Sequence, residues 1–182
     1  MKSEFPILES NRLLLRQLQD SDTENVFKGL SNTEVTKYYG VSYDSMEATK
    51  EQMTWFANLE SKGSGIWWAV CTRLDGTFLG AAGLNNLSEQ NKKAEIGFWL
   101  LPGNWGQGII SETIPLILSY SYDILQLHRI EAFVESENHD CKQVLDKLLF
   151  THEGTMKDCE IKNGAYISLD IYSKLNAKVQ PK

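Results

Sequence analysis

Cysteine and histidine are scarce in this 182-residue chain, which contains three of each. Cys71, Cys141 and Cys159 show no paired spacing, and their odd number argues against a disulfide framework. The three histidines also lack the short spacing, to cysteine or to each other, that metal sites use. We therefore expect reduced thiols, no structural metal and a cytoplasmic location.

Long apolar runs and an excess of basic residues are absent as well. No stretch approaches the roughly 20 apolar residues of a membrane helix. Residues 1–6 lack the apolar core of a signal peptide, so we expect no export. The formal net charge of −6 disfavours a nucleic-acid-binding surface, which needs clustered Lys and Arg. The same charge is compatible with a cationic amine as substrate.

The apolar pattern predicts one mixed α/β domain over residues 1–175 and a polar tail over 176–182. Capping signals that begin at Ser21 and at Asp44 predict two helices after the first strand. The predicted order is β-α-α-β-β-β-α-β-α-β-β, with approximate bounds 12–18, 21–30, 45–61, 66–72, 77–84, 93–101, 109–125, 129–134, 138–149, 151–157 and 165–172. This order is typical of a mixed sheet with helices on both faces.

The most informative segment runs from residue 94 to residue 112, where a strand enters a glycine turn and then a helix. Glycine lets the backbone approach a ligand closely, and the free N–H groups at a helix start bind anions such as pyrophosphate. The candidate donors are the main chain of Gly106, Gln107, Gly108, Ile109 and Ile110 and the hydroxyl of Ser111. Neither common nucleotide motif fits this spacing. Taken alone, the turn is equally compatible with a tight strand-to-helix connection.

Three motifs carry a resemblance to a known family. They are Ala-Glu-Ile-Gly-Phe-Trp-Leu at 94–100, Asn-Trp-Gly-Gln-Gly at 104–108 and Asn-His-Asp-Cys at 138–141. With the order of elements, they resemble the GNAT superfamily of acetyl-CoA-dependent N-acetyltransferases, and most closely the branch that acetylates the α-amino termini of ribosomal proteins. The resemblance implies a GNAT-type fold, with acetyl-CoA bound where the strands at 93–101 and 129–134 splay apart.

The resemblance also implies which residues contact the cofactor. The strand before the loop would pair with the pantetheine arm through the main chain of Trp99, Leu100 and Leu101. One of these N–H groups would be directed at the thioester carbonyl, where it would stabilise an oxyanion. Asn138 matches the family's pantetheine-contacting Asn and can also cap its own helix.

The family's pyrophosphate loop reads Arg/Gln-x-x-Gly-x-Gly/Ala and falls on Trp105, Gly108 and Ile110. Trp105 and Ile110 depart from this pattern, so we expect a weaker CoA contact at the first position. Ile110 is acceptable only if its side chain points away from the phosphates. Pro115 is unexpected within the following helix, because it removes one backbone hydrogen bond.

Acetyl transfer requires that the amine lose a proton and that the leaving thiolate gain one. Glu95 is the candidate general base, since it lies on an otherwise apolar strand, and the resemblance implies the same role. Its alternative is a structural acid, bonded to a neighbouring strand or to Lys92 or Lys93. Cys141 is the candidate general acid, at a position where the ribosomal branch usually has Ser. It also begins the apolar stripe of its helix, and the sequence favours that packing role.

Aromatic residues are candidates for the acceptor pocket: Tyr38, Tyr39, Trp55, Trp67 and Trp68. Core packing better explains Trp55 and one of the Trp67/Trp68 pair, whereas the other Trp can reach the cleft, because adjacent strand residues face opposite sides. We predict direct transfer to a primary amine, first the N-terminal α-amine of a ribosomal protein, or otherwise a small-molecule amine. The resemblance is compatible with a homodimer. A catalytically silent CoA-binding module and an interaction domain without cofactor are the alternatives.

Overall fold

The computed structural model describes residues 4–178. Its strands are β1 (Leu8–Glu9), β2 (Leu13–Gln17), β3 (Ile66–Thr72), β4 (Phe78–Ser88), β5 (Lys93–Leu100), β6 (Arg129–Glu135), β7 (Thr151–Lys162) and β8 (Ala165–Leu175). Its α-helices are α1 (Thr23–Leu30), α2 (Thr33–Thr36), α3 (Met46–Lys62), α4 (Ile109–Ser119) and α5 (His139–Lys147). Residues 179–182 of the predicted polar tail lie outside the described residues. Within 4–178, no helix has the length and apolarity needed to cross a membrane.

All eight strands form one sheet in the order β1-β2-β3-β4-β5-β6-β8-β7. Pairing is antiparallel except between β5 and β6, which run parallel. These two strands pair only over Lys93–Glu95 and Arg129–Glu131, and beyond those residues they separate. The mixed sheet and its opening between β5 and β6 agree with the predicted architecture.

The start of α1 differs from the prediction, which placed a capping box at Ser21 to Glu24. Ser21 instead lies inside a 3-10 turn that precedes the helix. The reason is that Asp22 is buried and committed elsewhere. Its carboxylate accepts two hydrogen bonds from the Arg16 guanidinium, at 2.7 and 2.8 Å, and one from the N–H of Gln19 at 2.8 Å.

Other predicted elements differ mainly in length. β1 and α2 were not predicted, because each is too short to give a periodic pattern. The predicted helix over 109–125 ends as α4 at Ser119 and continues as a π-helical turn over Tyr120–Ile124. Pro115 lies in the interior of α4 on its exposed side, beyond the first turn.

The sheet separates two apolar cores. One core packs α4 and α5 against residues such as Trp68 and Ile96, and the other packs α1, α2 and α3 against Trp67 and Trp99. Trp67 and Trp68 therefore face opposite sides, as neighbours on a strand must. Trp68 is fully buried and its indole N–H donates to the carbonyl of Pro6 at 2.8 Å.

Candidate active site

Main-chain hydrogen-bonding groups are exposed where β5 leaves β6. The carbonyl of Lys92 faces β6 and accepts the N–H of Arg129 at 3.1 Å, whereas the N–H of Leu101 faces β4 and donates to it at 2.9 Å. Backbone groups of successive strand residues point to opposite sides. The N–H groups of Phe98 and Leu100 therefore point into the gap from which β6 has departed.

This alternation shows which of the residues that the resemblance assigned to the cofactor direct their backbone groups into the gap. Leu100 presents its backbone to the gap, and its carbonyl accepts the indole N–H of Trp105 at 3.0 Å. Trp99 and Leu101 direct their N–H groups towards β4 instead. Phe98 was not among the predicted cofactor contacts, because the resemblance identified a strand without the direction of each amide. That direction follows only from the hydrogen bond of Leu101 to β4.

A cleft of about 580 Å³ passes through the gap. Its lining comes from β5, β6 and the start of α5, and from the segment around α2 and α3 on the other face. The lining includes Tyr38, Tyr39, Tyr43, Trp55, Trp67, Glu95, Phe98, Asn138 and Cys141. The structure thus brings both candidate catalytic residues, Asn138 and four of the five predicted aromatics to one cleft. Trp68 stays in the core.

The prediction that Trp55 is a core residue is wrong. Its side chain is 38% exposed and lines the cleft. Its ring packs edge-on against that of Trp67, with the ring centroids 5.7 Å apart. Trp55 therefore covers Trp67 on the side of the sheet that faces α3 and remains accessible from the cleft.

Glu95 is half-buried and lies at the point where the two strands separate. Its carboxylate accepts a hydrogen bond from Asn86 Nδ2 at 2.8 Å. Asn86 has a left-handed backbone and lies in a bulge of β4, and such bulges redirect side chains. Lys93 pairs with Glu131 at 2.9 Å, and no ion pair to Glu95 forms among the described residues.

Asn138 and Cys141 lie at the start of α5. The Asn138 side-chain oxygen accepts the N–H of Cys141 at 3.1 Å and so caps the helix. Within residues 4–178 its amide nitrogen has no hydrogen-bond partner, which leaves two donors for a ligand. Burial raises the pKa of the Cys141 thiol to about 12, despite the helix start beside it. The thiol is therefore protonated at neutral pH.

Two tyrosines on the cleft wall are also neutral at physiological pH. Burial raises the pKa of Tyr39 and that of Tyr43. The hydroxyl of Tyr43 donates to the Gln52 side chain at 3.0 Å. Because the Tyr43 proton is committed to Gln52, Tyr43 can only accept a hydrogen bond from an acceptor molecule, and neither neutral phenol can act as its base.

The end of β7 contacts one side of this cleft. Lys162 forms an ion pair with Glu135, which lines the cleft, at 2.5 Å. The same ammonium donates to the carbonyl of Lys37 at 2.5 Å, next to the tyrosine segment. The last strands of the sheet and the segment after α2 therefore meet across the cleft.

The glycine turn before α4 has the geometry expected of an anion site. Gly106 and Gly108 have left-handed φ angles of 73° and 74°, and Gly108 precedes the first turn of the helix. A side chain at Gly106 would meet no atom within 4 Å, so the surface beside it is open. Ile109 and Ile110 are buried in the core, so the Ile110 side chain points away from the turn, while Ser111 is exposed.

The side chains of this turn are committed to the protein itself. The side-chain amide of Gln107 donates to the carbonyl of Gly103 at 2.8 Å. Trp105 is 45% exposed, and its indole N–H donates to the carbonyl of Leu100 in β5. The main-chain N–H groups are therefore the principal donors for a phosphate. Across residues 4–178, His, Cys, Asp and Glu side chains form no group of three that could hold a metal ion.

The Acetyltransferase (GNAT) domain family matches residues 12–151. This chain belongs to the GNAT acetyltransferase family. It is 36% identical over 170 residues to the uncharacterized N-acetyltransferase YoaA of Bacillus subtilis, which covers 93% of this chain and 96% of that protein. The ribosomal-protein-serine acetyltransferase of Escherichia coli is 31% identical over 97 residues, or 53% of this chain and 54% of that enzyme.

A solved GNAT structure has the same fold. RimL, a ribosomal alpha-N-protein acetyltransferase in complex with coenzyme A, superimposes with a TM-score of 0.84 at 24% identity, over 93% of this chain and 98% of that one. The predicted fold class, family and enzyme class are thereby confirmed. The gap, the cleft and the open glycine turn fit acetyl-CoA, the co-substrate of GNAT enzymes.

Proposed function

We propose that this GNAT enzyme transfers the acetyl group of acetyl-CoA directly to a primary amine, and that its acceptor is the N-terminal α-amine of a protein. One observation carries the proposal: Glu95 lines a cleft that passes through the sheet, and among the described residues no basic side chain neutralises it. A ribosomal protein is the acceptor we would test first, because two of the similar enzymes act on such proteins. Such an acceptor is cytoplasmic.

The main chain would bind the cofactor. The turn at Gly106–Ile110, with Ser111, would contact the pyrophosphate, and the N–H groups of Phe98 and Leu100 would pair with the pantetheine arm and the thioester carbonyl. The free amide donors of Asn138 would add a contact to pantetheine. These donors belong to strand β5, to the turn before α4 and to a side chain that caps α5, and such ordered elements would reduce the cost of ordering the site on binding.

Glu95 would receive the proton of the amine, directly or through one water, as the nitrogen attacks the thioester carbonyl carbon. At pH 7, deprotonating an α-amine with pKa about 8 costs roughly 1.4 kcal/mol, whereas a lysine amine with pKa about 10.4 costs roughly 4.6 kcal/mol. A single carboxylate oriented by Asn86 is better suited to deprotonating an α-amine than to deprotonating a lysine amine. This comparison supports a protein N-terminus over an internal lysine.

The C–S bond then breaks, and the CoA sulfur must gain a proton. We propose Cys141 as the donor, because it lines the cleft on the side of α5 and carries its proton at neutral pH. A sulfur that leaves within the same apolar surroundings also favours its protonated form, since burial disfavours thiolates. The Cys141 thiolate would then recover its proton from solvent.

The test is acetyl-CoA-dependent thiol release with matched acceptors. The panel contains peptides that begin with Ser or Ala, the same peptides with a blocked N-terminus and one internal lysine, and a polyamine. We expect release with the free N-terminal peptides and little with the blocked ones. Thiol release with the polyamine alone would show that the acceptor is a small-molecule amine and not a protein N-terminus. Tight acetyl-CoA binding without release on any acceptor would contradict the proposal and favour a silent CoA-binding module.

A further inference from the structure

A basic side chain from a distant part of the chain lies against the glycine turn. Arg12, just before β2, places Nε 2.8 Å and Nη2 2.6 Å from the same carboxylate oxygen of Glu112, in the first turn of α4. The hydroxyl of Ser10 donates to the other Glu112 oxygen. The two terminal nitrogens of Arg12 lie 3.5 and 3.4 Å from the main-chain carbonyl of Gln107. Glu112 thus fixes a guanidinium whose outer edge faces the turn.

This contact determines which way one amide of the turn points. The described chain has no cis peptide bond, and in a trans peptide the C=O and N–H groups point in opposite directions. With the Gln107 carbonyl held towards Arg12, the N–H of Gly108 points away from it. Gly108 has no Cβ, so its φ angle would otherwise be free to change and let this peptide rotate.

The same ion pair changes the charge at the helix start. A free carboxylate in the first turn of α4 would repel a phosphate bound there. Burial raises the proton affinity of Glu112, but its bonds to Ser10 and Arg12 outweigh this and lower its pKa, so it is ionised. Arg12 therefore offsets a negative charge next to the proposed anion site.

We propose that Arg12 is the positioning residue of the pyrophosphate turn: it holds the Gln107 carbonyl so that the Gly108 N–H is presented to the diphosphate of acetyl-CoA. It would act where the family pattern uses the side chain that Trp105 replaces, since the Trp105 indole is committed to Leu100. The inference rests on the cofactor site of the proposed function and is independent of the acceptor.

The test compares Arg12→Gln with Lys28→Gln by calorimetric titration with acetyl-CoA, which needs no acceptor. Lys28 on α1 is a matched control: its side chain is 57% exposed against 56% for Arg12, and it pairs with Glu24 at 2.8 Å. We expect about 10-fold weaker binding for Arg12→Gln, the effect of one lost charge-assisted contact, and a change within about twofold for Lys28→Gln. Equal affinities for both variants and the wild type would overturn the proposal.

Two further results separate positioning from a simple charge effect. Arg12→Lys restores the charge but cannot bridge Glu112 and the Gln107 carbonyl at once, so we expect it to stay weak. Recovery of wild-type affinity with Lys would reduce Arg12 to a nearby charge. At about 1 M salt, where charge effects beyond direct contact are screened, the loss of affinity in Arg12→Gln should persist, whereas its disappearance would reduce Arg12 to a charge effect and overturn the positioning role. A wild type that binds acetyl-CoA without releasing thiol would refute the acceptor chemistry alone.

Discussion

Glu95 and Glu131 form the last pair between β5 and β6, and beyond them the two strands separate. Their carboxylates have different partners. Glu131 bonds to Lys93 and Arg129, both at 2.9 Å, whereas Glu95 accepts one bond from Asn86. Burial would raise the pKa of Glu131, but the two cations outweigh it and lower that pKa. Glu131 is thus a fixed structural anion, and Glu95 is the residue that we propose for proton transfer.

Replacing Glu95 by Gln is expected to lower kcat by about 100-fold or more, the usual contribution of a general base, with acetyl-CoA affinity within about twofold of wild type. Steady-state thiol release and calorimetry measure the two quantities. Glu131→Gln is the matched control, which should lower the melting temperature while kcat stays close to wild type. Equal losses of kcat in both variants would remove Glu95 from the chemistry.

The Cys141 thiol is expected to react slowly with iodoacetamide at pH 8, because a pKa of about 12 leaves very little of the nucleophilic thiolate. Exposed Cys159 is the internal control and should be modified much faster. Peptide mass spectrometry over a time course measures both rates. Similar rates at the two cysteines would show that Cys141 is not held protonated.

The proton-donor role of Cys141 can also be tested by comparing kcat in two Cys141 variants. Cys141→Ser keeps a hydroxyl donor and should retain most of the turnover. Cys141→Ala should lower kcat by about 10-fold, which is less than the usual contribution of a general acid because water can replace the lost donor. If Ala retains the same kcat as Ser, Cys141 only packs against the core.

Gly97→Ala is expected to destabilise the protein by about 1–3 kcal/mol. A methyl group at this position would lie 2.9 Å from Cζ2 of Trp67, whose ring is held by Phe56 and Trp55. Thermal unfolding measures the loss. Gly103→Ala is the control, since its methyl group would meet nothing within 4 Å. An unchanged melting temperature for Gly97→Ala would mean that the Trp67 ring moves freely.

The unfolding free energy should fall as the solution is acidified below about pH 5. Hydrogen bonds from Arg129 and Ser173 lower the pKa of Glu153 to about 2, below the value of about 4.3 in the unfolded chain. A lowered folded-state pKa stabilises the protein above the unfolded value, and this contribution is lost as pH falls towards the folded value. Glu153→Gln should show a smaller loss than wild type over this range in urea titrations. Identical pH profiles would contradict the assignment.

The parts of the fold with strong periodicity could be predicted from sequence. β3 has the predicted bounds, and α3 begins one residue after its predicted start, because the Ser45 hydroxyl and not Asp44 caps the helix by accepting the N–H of Ala48. The start of α1 could not be predicted, because it depends on a buried pair between Asp22 and Arg16 that only the tertiary structure forms. Local capping rules carry no information about such a partner.

The candidate site also has one part that could be predicted from sequence and one part that could not. Motifs indicated the glycine turn, Glu95 and Asn138, because each lies within one continuous segment. The contribution of Asn86 depends on a bulge in β4, and that of Arg12 on strand β2 lying beside α4. Long-range contacts of this kind leave no spacing signal in the sequence.

The most direct test of the cofactor site is amide hydrogen exchange, resolved by residue, with and without acetyl-CoA. We expect the N–H groups of Phe98 and Leu100 to exchange readily in the free enzyme and to become protected on binding, together with those of the glycine turn. Trp99 and Leu101, whose N–H groups face β4, should be protected in both states and serve as internal controls. Protection confined to other surfaces, with Phe98 and Leu100 unchanged, would contradict binding of acetyl-CoA in the gap between β5 and β6.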